Sequence, residues 1–135
     1  MANLTELPLA GDETLEAVTE SMVALHERYY GRKPGSANTR MMGDDMLACL
    51  FGDMYTDVEK TLIELQRQAL VHESRSAFQQ AMQHKFIGEV ERITGRQVER
   101  FISTHHVGPD HGLELFVLRP MTSSRLPVDA SYRTR

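Results

Sequence analysis

The densest chemistry in the chain lies at His105, His106, Asp110 and His111, which set three imidazoles and a carboxylate around one short loop. Imidazole nitrogen and carboxylate oxygen are donors that zinc and related divalent ions accept, and a hairpin would bring His106 and His111 together with Asp110 as a candidate metal site. Adjacent strand residues point to opposite faces, which separates His105 from His106. The plainer alternative is a polar loop with exposed histidines, since a closed tetrahedral site needs a further ligand that no other motif supplies.

A second group, Tyr29-Tyr30-Gly31-Arg32-Lys33-Pro34 with Arg40 downstream, sets two aromatic rings beside a glycine turn and several cations. Guanidinium groups match oxyanions bidentately, so Tyr30, Gly31, Arg32, Lys33 and Arg40 are candidates for holding an anion. Thr94, Gly95 and Arg96 form a third candidate group. Both groups also have an architectural reading. Cations are favoured at a helix C-terminus, Gly95 suits a left-handed turn, and Arg96 would pair with Glu59, Glu89 or Glu91. Tyr29 and Tyr30 would then pack on the sheet, with Arg32 paired to an acidic neighbour. Ser103-Thr104-His105 has neither a nucleophile elbow nor identifiable oxyanion donors, so no catalytic residue is assigned and no enzyme activity is expected. Cys49 and the methionines read as core filling, and no cofactor is expected.

These groups must be positioned by a chain of 135 residues, 41% hydrophobic and 25% charged, with a formal charge of -4. That composition suits one globular domain and excludes a disordered chain. No apolar run is long enough for a membrane-spanning helix, a signal peptide is not apparent, and the acidic balance argues against nucleic acid as a partner, so a cytoplasmic protein is expected. The expected division is a flexible segment at 1–11, a single domain at 12–120 and a flexible tail at 121–135.

Within the domain, Asp12 is a candidate cap for a helix whose apolar positions Leu15, Val18, Met22, Leu25 and Tyr29 share one face and which ends near Tyr30. Residues 38–42 and 46–51 flank Gly43-Asp44-Asp45 and predict a β-hairpin. Thr56-Asp57-Val58-Glu59 matches a capping box at the next helix start. Apolar periodicity continues through Val58, Leu62, Leu65 and Ala69, then Phe78, Met82, Phe86, Val90 and Ile93, with a break expected at 71–74 that divides it into two helices. A final hairpin joins 96–106 to 113–119. There Leu113, Leu115 and Val117 occupy one face and Glu114, Phe116 and Leu118 the other, as expected of a central strand apolar on both sides. Glu114, Phe116 and Leu118 are accordingly candidate interface residues, and a homodimer is expected. Helix, hairpin, helices, hairpin in that order predicts an α+β two-layer sandwich with a mainly antiparallel sheet.

Four runs taken together are more specific: His26-Glu27-Arg28-Tyr29-Tyr30-Gly31-Arg32-Lys33-Pro34, then residues 56–61, then Ile93-Thr94-Gly95-Arg96-Gln97-Val98, then Phe116-Val117-Leu118. In this order they resemble the MpsC-like family, long catalogued as a domain of unknown function and named for a sodium-translocating, membrane-potential-generating system. The resemblance spans residues 15–119 and departs at Lys33, where the family pattern more often has glycine. It implies a small bacterial α+β domain acting as a soluble accessory or regulatory component, with a protein partner in a transport or regulatory assembly. It also marks Tyr30, Gly31, Arg32, Thr56, Glu59, Lys60, Thr94, Gly95 and Arg96 as functional or architectural positions. A small-molecule or anion sensor built on the loop from Tyr30 to Pro34 is the alternative expectation.

Overall fold

The computed structural model describes residues 11–121, so most of the expected lead-in and tail lies outside the described residues. The cap of helix α1 (Asp12–Tyr30) stands one residue earlier than expected: Gly11 is the cap residue, and Asp12 and Glu13 stand in the first turn, where acidic side chains interact favourably with the helix dipole. Its buried stripe is Val18, Met22 and His26. The stripe turns away from Tyr29, which is 42% exposed, and toward Tyr30. Gly31 ends the helix at φ 87°, a left-handed conformation that glycine adopts without steric cost.

Strands β1 (Ser36–Met41) and β2 (Met46–Gly52) form the first hairpin around Gly43-Asp44-Asp45. Helix α2 (Asp57–Glu64) then starts at the capping box, with the Thr56 side chain accepting from the Glu59 amide at 3.1 Å and the Glu59 carboxylate accepting from the Thr56 amide at 3.0 Å. Two helices follow the second strand, as expected, but they divide earlier than expected. The break is at Leu65, Gln66 and Arg67, and helix α3 runs unbroken from Gln68 to Thr94. Its cause is a Schellman turn: the Gln66 amide bonds Ile63 O at 2.9 Å, the Arg67 amide bonds Leu62 O at 2.7 Å, and Gln66 takes φ 60°. A glutamine in that left-handed position carries no glycine signal, whereas Val71 and Arg75, near the expected break, are buried helical residues.

Gly95, at φ 72°, closes α3, and strands β3 (Val98–His106) and β4 (His111–Leu118) make the second hairpin. The four strands form an antiparallel sheet in the order β1-β2-β4-β3, so β4 is central and β3 an edge. Among the described residues there are three helices and this one sheet, an α+β fold.

The helices lie on one face only. Val18 and Met22 of α1 and Met82, Phe86 and Val90 of α3 enclose Leu47, Cys49, Phe51, Phe116 and Leu118 of the sheet. This overturns the placement expected for Glu114, Phe116 and Leu118: all three are buried beneath the chain's own helices and present nothing to a second copy. It is the opposite face, with Met46, Leu50 and Ile102 exposed, that no described helix covers. Cutting the capping hydroxyl from α2 tests the local argument. Thr56→Ala should lower stability by about 1 kcal/mol, read as a lower urea midpoint at unchanged slope.

Candidate functional site

Where α1 ends, α2 begins and the β3–β4 turn folds back, a buried ionic cluster forms around Arg75 of α3. Its Nε donates to Glu59 Oε2 at 3.0 Å and its Nη2 to Glu59 Oε1 at 3.1 Å, a two-pronged pair with both side chains 5% exposed. Nη2 also lies 3.0 Å from Asp110 Oδ1, and the guanidinium carbon stands 5.1 Å from the centre of the Tyr55 ring. Asp110 is held in turn by the backbone: its Oδ2 accepts from the Met54 amide at 2.5 Å and the Tyr55 amide at 2.7 Å. Tyr30 donates its hydroxyl to Glu59 Oε2.

Counting acceptors explains why Glu59 tolerates burial. An ionised carboxylate offers about four lone-pair sites, and Glu59 meets them with two Arg75 donors, the Tyr30 hydroxyl and the Thr56 amide. Burial alone would raise its pKa, but the hydrogen bonds from Arg75, Tyr30 and Thr56 outweigh burial and hold it below the ordinary carboxylate range. Tyr30 is pushed up to about 12 by burial and by its bond to the Glu59 carboxylate. Arg75 is likewise raised: burial opposes its charge, but Glu59 and Asp110 more than offset that. The cluster directs its charged groups at one another. Its work is to clasp α1, α2, α3 and the β3–β4 turn to one another.

A cavity of about 20 Å³, enough for one water, borders the clasp between His26, Tyr30, Arg75, Gln79, His105 and Glu114. Glu114 is 1% exposed on β4, with Ser103 as its neighbour across β3 and Cys49 across β2. Burial raises its pKa to about 8, so the side chain is a neutral acid at pH 7. Beside it the His26 ring lies 4.5 Å from Phe51 and 5.6 Å from Phe86, centre to centre, and burial lowers its pKa below the usual value. Cys49, also buried, is pushed up to about 12, which keeps it a thiol.

The residues singled out from sequence are dispersed. Arg32 spends its charge on Asp53, bonding the Asp53 carbonyl and lying 3.4 Å from its carboxylate. Arg96 does not meet Glu59, Glu89 or Glu91. It reaches Asp44 O at 2.8 Å, Asp45 Oδ1 at 2.6 Å and Arg119 O at 2.9 Å, fastening the first hairpin's turn to the end of β4. Asp45 and Asp53 flank opposite ends of the seven-residue β2, roughly 25 Å apart, so Arg32 and Arg96 cannot grip one small anion. Arg40 is exposed on β1, Lys33 is exposed, and Thr94 uses its hydroxyl on the Val90 carbonyl at 2.7 Å. His106 and His111 are cross-strand partners, as a hairpin requires, but Asp110 turns inward to Arg75. The expected metal triad therefore does not converge, and among the described residues no three His, Cys, Asp or Glu are grouped to hold an ion.

Sequence reasoning missed Arg75, Gln79, His72 and the buried state of Glu114. One signal for Arg75 was available: it falls on the stripe of Val71, Phe78, Met82 and Phe86, where a cation requires a partner. Against this geometry, a family model described as the Na+-translocating membrane potential-generating system (MpsC) matches residues 12–120. No curated protein and no solved structure matches the chain.

Two substitutions test the electrostatics. Arg75→Met leaves two carboxylates facing each other without their cation and should cost about 3–5 kcal/mol of unfolding free energy, measured by denaturant titration. Glu114 acts in the opposite sense on pH. Unfolded, it loses its proton near 4.5, while the folded chain keeps it to about 8, so stability falls as pH rises through that window. In Glu114→Gln this component of the decline should vanish, seen as a melting temperature that gains on the wild type from pH 5 toward about 8.

Proposed function

The chain belongs to the MpsC family, and from that premise we propose that it is a non-catalytic accessory or regulatory module of a membrane-potential-generating transport system, working as a homodimer. Among the described residues no helix is long and apolar enough to cross a membrane. In this reading the passage of ions belongs to a partner, and the present chain contributes a surface.

The observation that carries the proposal is the sheet face that no described helix covers. Strand alternation places Met46, Ala48 and Leu50 of β2, Leu113, Leu115 and Val117 of β4 and Ile102 of β3 on the side away from the helices. The register sets them in rows, with Ala48 beside Leu115 and Ile102, and Leu50 beside Leu113. Leu50 is 51% and Ile102 50% exposed. A contiguous apolar patch on a central sheet is an unusual thing to leave in water, and a second sheet packed about 10 Å away is the standard way to cover one. A second copy fits because it offers an identical flat, apolar face, and a two-fold axis makes one patch complementary to itself. The non-catalytic reading is supported by the clasp, whose charged groups are directed at one another.

Sedimentation velocity at micromolar concentration should give a dimer, and Leu50→Glu combined with Ile102→Lys should give a monomer that still unfolds cooperatively. Both positions are half exposed, so the folded monomer tolerates the exchange. A wild-type chain that sediments as a monomer would sink the dimer.

A further inference from the structure

The clasp faces solvent through a pair of histidines that plays no part in the reading above. His72, exposed on the first turns of α3, and His105, half buried on β3, come together with His72 Nδ1 2.8 Å from His105 Nε2. The ring centres are 4.7 Å apart and the planes tilted by 43°. On its far side, His105 Nδ1 donates to Gln79 Oε1 at 3.2 Å, which places the His105 lone pair on Nε2, the nitrogen aimed at His72.

From this arrangement the geometry points to an open, two-imidazole site for a zinc-class divalent cation at His72 and His105. Two imidazoles on one ion, each bonded at about 2.1 Å with about 90° to 109° between bonds, hold their nitrogens about 3.0–3.4 Å apart. The observed pair is within a few tenths of an ångström of the lower value, a movement that rotation of the exposed His72 side chain supplies. Gln79 provides the outer hydrogen bond that ligating histidines characteristically make, fixing the tautomer and the ring orientation. Neutral nitrogen donors select ions of the zinc, copper and nickel type over magnesium or calcium, and with two protein ligands the remaining positions fall to water.

The surroundings suit a cation and give it a route. Below the pair, one guanidinium at Arg75 stands against two carboxylates at Glu59 and Asp110. A groove of about 320 Å³ between α3 and β3, lined by Ser76, Gln79, Gln80, Gln83, Phe101 and Ser103, shares Gln79 with the site and opens to solvent. A bound ion would cross-link the start of α3 to the end of β3, adding to the Gln79–His105 bond and the contact of Arg75 with the His106 carbonyl.

Calorimetric titration of Zn2+ into the full chain, free of any polyhistidine tag and in a non-chelating buffer at neutral pH, tests the site. One ion per chain is expected. His72→Ala and His105→Ala should each weaken binding at least about tenfold, and Gln79→Leu by about tenfold or more through loss of the outer bond. His106→Ala and His111→Ala should leave it unchanged, which separates this site from the hairpin histidines. His72→Gln and His105→Gln, polar and close in volume, repeat the test should an alanine variant melt early. No uptake by the wild type, binding retained without His72, or binding lost with His106, would each overturn the assignment.

Discussion

The structure depends on one desolvated cation. Arg75 sits 5% exposed between Glu59 and Asp110, and removing a guanidinium from water is tolerable only where its donors meet acceptors in good geometry. Each partner is itself secured by something else. Glu59 is fixed by the helix start it caps, Asp110 by two backbone amides after β2, and Tyr30 by the glycine stop that turns α1 at that point. The same carboxylate that nucleates α2 therefore also receives α3, and local helix formation and long-range docking are secured through the same two oxygen atoms.

That arrangement gives the two-layer architecture its asymmetry. On the helix side, phenylalanines, methionines and short aliphatic residues close over the sheet, and even an acid at Glu114 is accommodated by remaining protonated. On the other side the same strands carry Leu50, Ile102 and their neighbours with no described helix above them. The two faces of β4 look alike in hydrophobicity, so the placement of Glu114 rather than the count of apolar residues is what invites error. A carboxyl group beside Phe116 and Leu118 suggests the wetter face, yet a neutral acid can occupy the dry one.

What could be read from sequence was what is decided locally. The Gly43-Asp44-Asp45 turn, the Thr56 capping box and the stop at Gly95 each rest on a few neighbouring residues, and each stands where the chain indicates, as does the α+β order they generate. The division between α2 and α3 was misplaced because Gln66 takes a left-handed conformation through backbone bonds, without a glycine to announce it. The Arg96 guanidinium has no sequence neighbour among its partners, which lie 51 and 52 residues upstream and 23 downstream, so nothing near it foretold the latch. His72 and His105 are 33 residues apart and meet only because α3 lies along β3.

The latch at Arg96 also sets the polarity of the molecule. It ties the residue that follows β4 to the turn of the first hairpin, and α1 begins at the same pole, with Asp12 and Leu15 bordering a hollow shared with Arg40. The clasp and the paired imidazoles lie at the other pole. The chain thus enters α1 and leaves β4 on one side of the domain, the side that faces away from the clasp.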